Sequence, residues 1–93
     1  MGRPIKSLER RCDTPERALG AVITSLRVQR GWPYQYVAER AGCDDSYMLR
    51  IEHGTANPAF RVLKAIAGVH KTKLSLIIAR AERLHENCHK KKA

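Results

Sequence analysis

A chain of 93 residues has room for one small domain with flanking segments, and none for a separate sensor domain or an enzyme-sized cleft. Its 43% apolar content is enough for a small core; because only 5% is aromatic and no alternating run marks a strand, the set of Leu, Ile, Val and Ala reads as an all-α protein. The net charge of +9 favours acidic partners, with nucleic acid first and a membrane surface second.

No apolar run is long enough to span a bilayer, no signal peptide is visible, and Lys6 stands where a myristoylation signal wants a hydroxyl residue. Internal repeats are absent. Cys12, Cys43 and Cys88 are odd in number and widely spaced, without a CxxC, which fits free thiols in a reducing cytosol better than a disulfide framework.

Residues 1–13 are expected to form a flexible basic arm, in which Arg3, Lys6, Arg10 and Arg11 outweigh Glu9 and Asp13. Gly2-Arg3-Pro4 resembles the core that AT-hook peptides place in the minor groove, so a solvated tail and a groove-reading arm are both open, the tail favoured.

Thr14-Pro15-Glu16 is a helix start, with a hydroxyl cap, proline at the first position and an acid near the positive end. The first helix should run to Arg30 with Ala18, Leu19, Val22, Ile23 and Leu26 as its apolar stripe, and Gly31-Trp32-Pro33 should end it. A short second helix follows from Tyr34 to Ala41, with Val37, Ala38 and Ala41 on one face. Gly42-Cys43-Asp44 is a tight turn: glycine suits the helix end, and the Asp44 carboxylate is expected to cap the next helix.

The third helix, Asp45 to His53, divides by angle at about 100° per residue. Tyr47, Met48 and Ile51 cluster on one side, whereas Asp45, Ser46, Leu49, Arg50 and His53 fall on the other. That outward face is polar and hydrogen-bonding, as a helix laid in a major groove must be. An ordinary solvated face has the same periodicity.

Asn57-Pro58 is expected to cap and open a fourth helix reaching Val69, burying Phe60, Leu63, Ile66 and Ala67, with His70 partly buried after it. A fifth helix should start at Thr72 or Lys73, with Leu74, Ile77, Ile78, Ala81 and Leu84 in one stripe. Leu76 and Ala79 point elsewhere and suggest a contact between two copies. His85, Cys88 and His89 share a helical face at zinc-ligand spacing, but no fourth ligand is identifiable and Lys90 to Lys92 oppose a cation, so no metal is expected. Residues 88–93 read as a frayed basic tail.

The ordered set Leu26-Arg27, Arg30-Gly31, Ala38, Ala41-Gly42, Tyr47, Ile51-Glu52, Gly54 and Asn57-Pro58 is similar to the phage-repressor-like (XRE, Cro-like) helix-turn-helix family. The similarity spans roughly Glu16 to Ile78, and its specificity lies in the ordered spacing. The resemblance implies a five-helix DNA-binding domain over residues 14–87, with the helix from Asp45 as recognition helix. Asp45, Ser46, Leu49 and Arg50 would then meet base edges. Tyr34, Gln35, His53, Thr55, Asn57 and Arg61 would meet the DNA backbone, Tyr34 standing where relatives commonly carry a phosphate-bonding Gln. Arg27 and Glu52 would form a structural ion pair fastening the first helix to the third.

The Asp44-Asp45 pair departs from the pattern. Two carboxylates near phosphates oppose binding unless Asp44 is spent on capping and Asp45 accepts from a cytosine N4. The resemblance implies a transcriptional regulator that binds double-stranded DNA as a homodimer, through its fifth-helix region, on a (pseudo)palindromic operator in the cytoplasm. A protein-interaction module on the same fold, such as an antitoxin, is the alternative. No nucleophile–base pair, paired carboxylates or Gly-rich phosphate loop is present, so no enzyme activity and no cofactor are expected.

Overall fold

The structure, a computed structural model, describes residues 12–92, with side chains as far as residue 88. It is all-α, as expected: α1 (Pro15–Arg30), α2 (Tyr34–Ala41), α3 (Asp45–His53), α4 (Phe60–Val69) and α5 (Leu74–Lys92), with no strand among the described residues. Residues 1–11 of the expected arm over 1–13, and the side chains of His89 to Lys92, lie outside the described residues. The backbone of α5 runs unbroken past residue 87.

Local chemistry explains the helix ends. The Thr14 hydroxyl accepts from the Arg17 N–H at 3.0 Å, Pro15 opens α1, and Glu16 lies in its first turn with Arg27 and Arg30 in its last. Gly31, Gly42 and Gly54 end α1, α2 and α3 in the left-handed conformation.

α1 packs on α5 and α3, α2 on α4 and α3, and α4 on α5. The apolar faces meet in one core built on Ile23, Val37, Met48, Ile51, Ile66 and Ile77, with Ala18, Ala38 and Ala67 where helices approach closely. Gly20 marks the tightest approach. A Cβ there would lie 2.7 Å from the Glu52 carbonyl carbon and closer still to the backbone oxygens of Ile51 and Glu52, so α1 reaches α3 only because residue 20 has no side chain.

Three expectations are corrected. Asn57 and Pro58 do not start α4, which begins at Phe60 with Ala59 at the capping position and no side-chain cap. Ala56 is buried and Pro58 lines a groove beside Leu19 and Leu63, so the loop's apolar residues serve packing and hold residues 55–59 out of helical geometry. Phe60, expected in the core, is 69% exposed: it opens the helix, and its side chain has no preceding turn to cover it. The third concerns the thiols. Cys12 and Cys88 form a disulfide across a sequence separation of 76, and only Cys43 is free. Such a pairing leaves no local signal; it arises because the start of α1 meets the end of α5.

Candidate nucleic-acid interface

The turn between α2 and α3 is held by backbone bonds alone. The Gly42 N–H donates to the Glu39 carbonyl at 3.2 Å and the Cys43 N–H to the Ala38 carbonyl at 3.0 Å, a Schellman closure that needs the left-handed Gly42. Asp44 then has the extended conformation of a capping residue, and its carbonyl accepts from the Met48 N–H at 3.0 Å. Its carboxylate makes no capping bond, contrary to expectation. The side chain is exposed, and water can serve the free N–H groups of the first turn. Burial and the Asp44 and Asp45 carboxylates, in that order, push the Cys43 thiol above its ordinary pKa, which keeps this turn residue protonated at neutral pH.

α3 has two distinct faces. Met48, Ile51 and Glu52 are buried and Tyr47 is half-buried. Asp45, Ser46, Arg50 and His53 are exposed and Leu49 is half-exposed. The Arg50 guanidinium sits 5.8 Å from the centroid of the Tyr47 ring, a cation–π contact that biases its stem without removing its donors from solvent.

The inner face is pinned by charge. Arg27 Nε donates to Glu52 Oε2 at 2.7 Å and the Arg27 Nη2 to Oε1 at 2.9 Å, a two-pronged pair. The remaining nitrogen, Nη1, donates to the Trp32 carbonyl at 2.9 Å. One guanidinium therefore ties α1, α3 and the α1–α2 turn together. The Glu52 side chain retains only 3% exposure, so the pair is a buried one.

The candidate backbone residues fall on the elements flanking α3. Tyr34 and Gln35 open α2, the former half-buried and the latter exposed. Thr55, Asn57 and Arg61 are exposed along the α3–α4 connection and the first turn of α4. The Thr55 hydroxyl donates to the Arg50 carbonyl at 3.3 Å and its N–H to the same oxygen at 3.0 Å, closing the end of α3. The side chains of Gln35, Asp45, Ser46, His53, Asn57 and Arg61 enter no hydrogen bond or ion pair among the described residues.

A cluster that sequence reasoning missed lies beside α2. The Trp32 and Tyr36 rings are 4.6 Å apart, Arg40 lies 4.2 Å over Tyr36 and Arg30 lies 5.0 Å over Trp32. His70 stacks on Trp32 at 5.6 Å, with 3% of its surface exposed and neither ring nitrogen hydrogen-bonded among the described residues. Tyr36 and Arg40 stand one helical turn apart, a local signal; the rest is assembled by the meeting of α1, α2 and α4.

Comparison with known proteins agrees with this geometry. The chain is similar in structure to the clp gene regulator ClgR from Corynebacterium glutamicum, with a TM-score of 0.76 and 18% identity over 85% of each chain. That likeness is one of fold. No curated protein sequence matches the chain. The family described as "Helix-turn-helix domain" matches residues 18–77, from the first buried residue of α1 to the core residue Ile77 of α5. The chain belongs to the helix-turn-helix domain family, a DNA-binding family.

Proposed function

We propose that this protein is a sequence-specific DNA-binding transcriptional regulator acting as a homodimer on a pseudo-palindromic operator, in the cytoplasm where the nucleoid lies. The observation that carries this reading is the division of α3: one face is pinned inside the domain by Met48, Ile51 and the Arg27–Glu52 pair, while Asp45, Ser46, Leu49 and Arg50 look outward. A rigidly seated helix with a short polar outer face can enter a major groove. Arg50 is suited to guanine O6 and N7, Asp45 to cytosine N4, Ser46 to several acceptors or donors, and Leu49 to a thymine methyl. Tyr34, Gln35, His53, Thr55, Asn57 and Arg61 would contact phosphates from either side, on a chain whose net charge of +9 supplies the attraction. No helix among the described residues is long and apolar enough to cross a membrane.

Leu76, at 56% exposure, and the exposed Ala79 are the apolar residues of α5 through which two copies would pair. In such a dimer the half-sites lie about 10 bp apart, one helical turn, so that both copies of α3 face one side of the duplex.

Fluorescence-anisotropy titrations of a selected site and of random duplex, at one fixed salt concentration, test the reading. The wild type should prefer the selected site. Arg50→Ala should reduce that preference by about 1–3 kcal/mol while weakening random binding less. Equal affinity for every duplex, with no effect of Arg50→Ala on the ratio, would instead favour an antitoxin-like interaction module. Sedimentation that finds only monomer, free and on DNA, would remove the dimer.

A further inference from the structure

The Cys12–Cys88 disulfide joins two places that the helix-turn-helix has no need to join. Cys12 is buried in the core at 2% exposure, just ahead of α1, and Cys88 is half-buried near the end of α5. One turn before Cys88, His85 Nδ1 lies 3.0 Å from the Cys12 carbonyl; a carbonyl can only accept, so Nδ1 carries the proton. The bond also joins the two basic ends of the sequence: Arg3, Lys6, Arg10 and Arg11 lie just before Cys12, and Lys90 to Lys92 just after Cys88. Resting on the DNA-binding reading, the chain works among thiol pools that keep dithiols reduced, where a disulfide is as a rule transient and redox-sensing.

We propose that Cys12 and Cys88 are a reversible redox site, oxidised and reduced by glutathione-class thiols or a dithiol protein, whose oxidised form fastens the start of α1 to the end of α5. For reduction, a thiolate attacks the Sγ of Cys88, the less buried of the two residues. The Cys12–Cys88 bond breaks, and Cys12 leaves as a thiolate and takes up a proton. A second thiol attacks the mixed disulfide on Cys88, releasing the Cys88 thiol and a disulfide of the reductant. Two thiols are thus oxidised as one protein disulfide is reduced, and oxidation is the reverse with glutathione disulfide as oxidant. Cys43 stays out of this exchange, since burial and its two carboxylate neighbours disfavour its thiolate. In the reduced form the covalent link is gone, and the His85 hydrogen bond and apolar contacts still join residue 12 to α5.

The test uses the full chain carrying Cys43→Ser, equilibrated in buffers running from glutathione disulfide alone to reduced glutathione alone, then quenched and alkylated for mass spectrometry. Cys12 and Cys88 should pass together from fully oxidised to fully reduced within that range. Amide exchange over residues 12–19 and 80–88 should be slower in the oxidised form, and Cys12→Ser should exchange like the reduced form in every buffer. A pair that never oxidises, a disulfide that survives reduced glutathione alone, or equal exchange in the two forms would overturn the proposal. None of these readouts involves DNA, so their failure is distinguishable from failure of the DNA-binding reading.

Discussion

Glu52 shows how a single side chain can be both costly and indispensable. A carboxylate with 3% exposure is tolerated because Arg27 meets both of its oxygens, at 2.7 and 2.9 Å. Glu52→Ala strands the guanidinium beside the core and should lower stability by about 3–5 kcal/mol, read as a shift of the urea midpoint. A shift worth less than about 0.5 kcal/mol would mean that the pair behaves as a surface contact. His70 presents the opposite case, a buried titratable ring with neither nitrogen hydrogen-bonded among the described residues. Burial is the larger influence lowering its pKa; the Arg30 charge lowers it further, and of the weaker influences Glu52 raises it and Arg27 lowers it. The unfolded chain takes up this proton near the ordinary value of about 6.5 and the folded chain only at lower pH. The stabilisation is therefore whole above about 6.5 and is lost as pH falls from there through the folded value. Urea midpoints of the wild type should drop between neutral pH and acid faster than those of His70→Leu. Parallel pH profiles would show that the buried ring is not responsible.

At the scale of elements, the position of α3 depends on how closely α1 can approach it. Gly20 lets the α1 backbone approach the carbonyls of Ile51 and Glu52, at the same end of α3 that Arg27 grips. Gly20→Ala is a favourable change by helix propensity alone, by about 1 kcal/mol. Here it should destabilise by about 1–3 kcal/mol, because the new methyl meets backbone, which cannot swing aside. If thermal melts show Gly20→Ala to be stabilising, the two helices are not in close contact. The start of α4 follows similar logic. Asn57 and Pro58 are good helix openers, yet burial of Ala56 and the seating of Pro58 beside Leu19 outweigh a propensity of at most about 1–2 kcal/mol.

At the scale of the whole molecule, charge separates positioning from reading. On the proposed function, the basic residues before Cys12 and after Cys88 should act on any duplex through counterion release, each neutralised phosphate contributing about −0.9 to the slope of log K against log salt. Deleting residues 1–11 should weaken selected and random DNA alike and flatten that slope, leaving their ratio in place. A collapse of the ratio on deletion, with Arg50→Ala inert, would make the arm the specific reader and α3 its support.

The pattern of apolar residues, proline, glycine and hydroxyl caps was enough to place α1, α2 and α3 at their observed ends, since periodicity and capping are local properties of a chain. The spacing of Arg27 and Glu52 within a familiar ordered set likewise anticipated a pair now seen at bonding distance. What local chemistry does not contain is which competing use of a residue wins. Asn57 could cap or lie in an extended loop, and packing of its neighbours Ala56 and Pro58 decided it; Phe60 faces outward at the opening of its helix, and the exposed Asp44 carboxylate faces water. Gly20 looks like any weak helix residue until α3 lies across it. The meeting of Trp32 with His70 and of Cys12 with Cys88 depends on contacts between residues far apart in the chain, which no window of sequence encodes and which only the closing of α1, α4 and α5 around one core brings about.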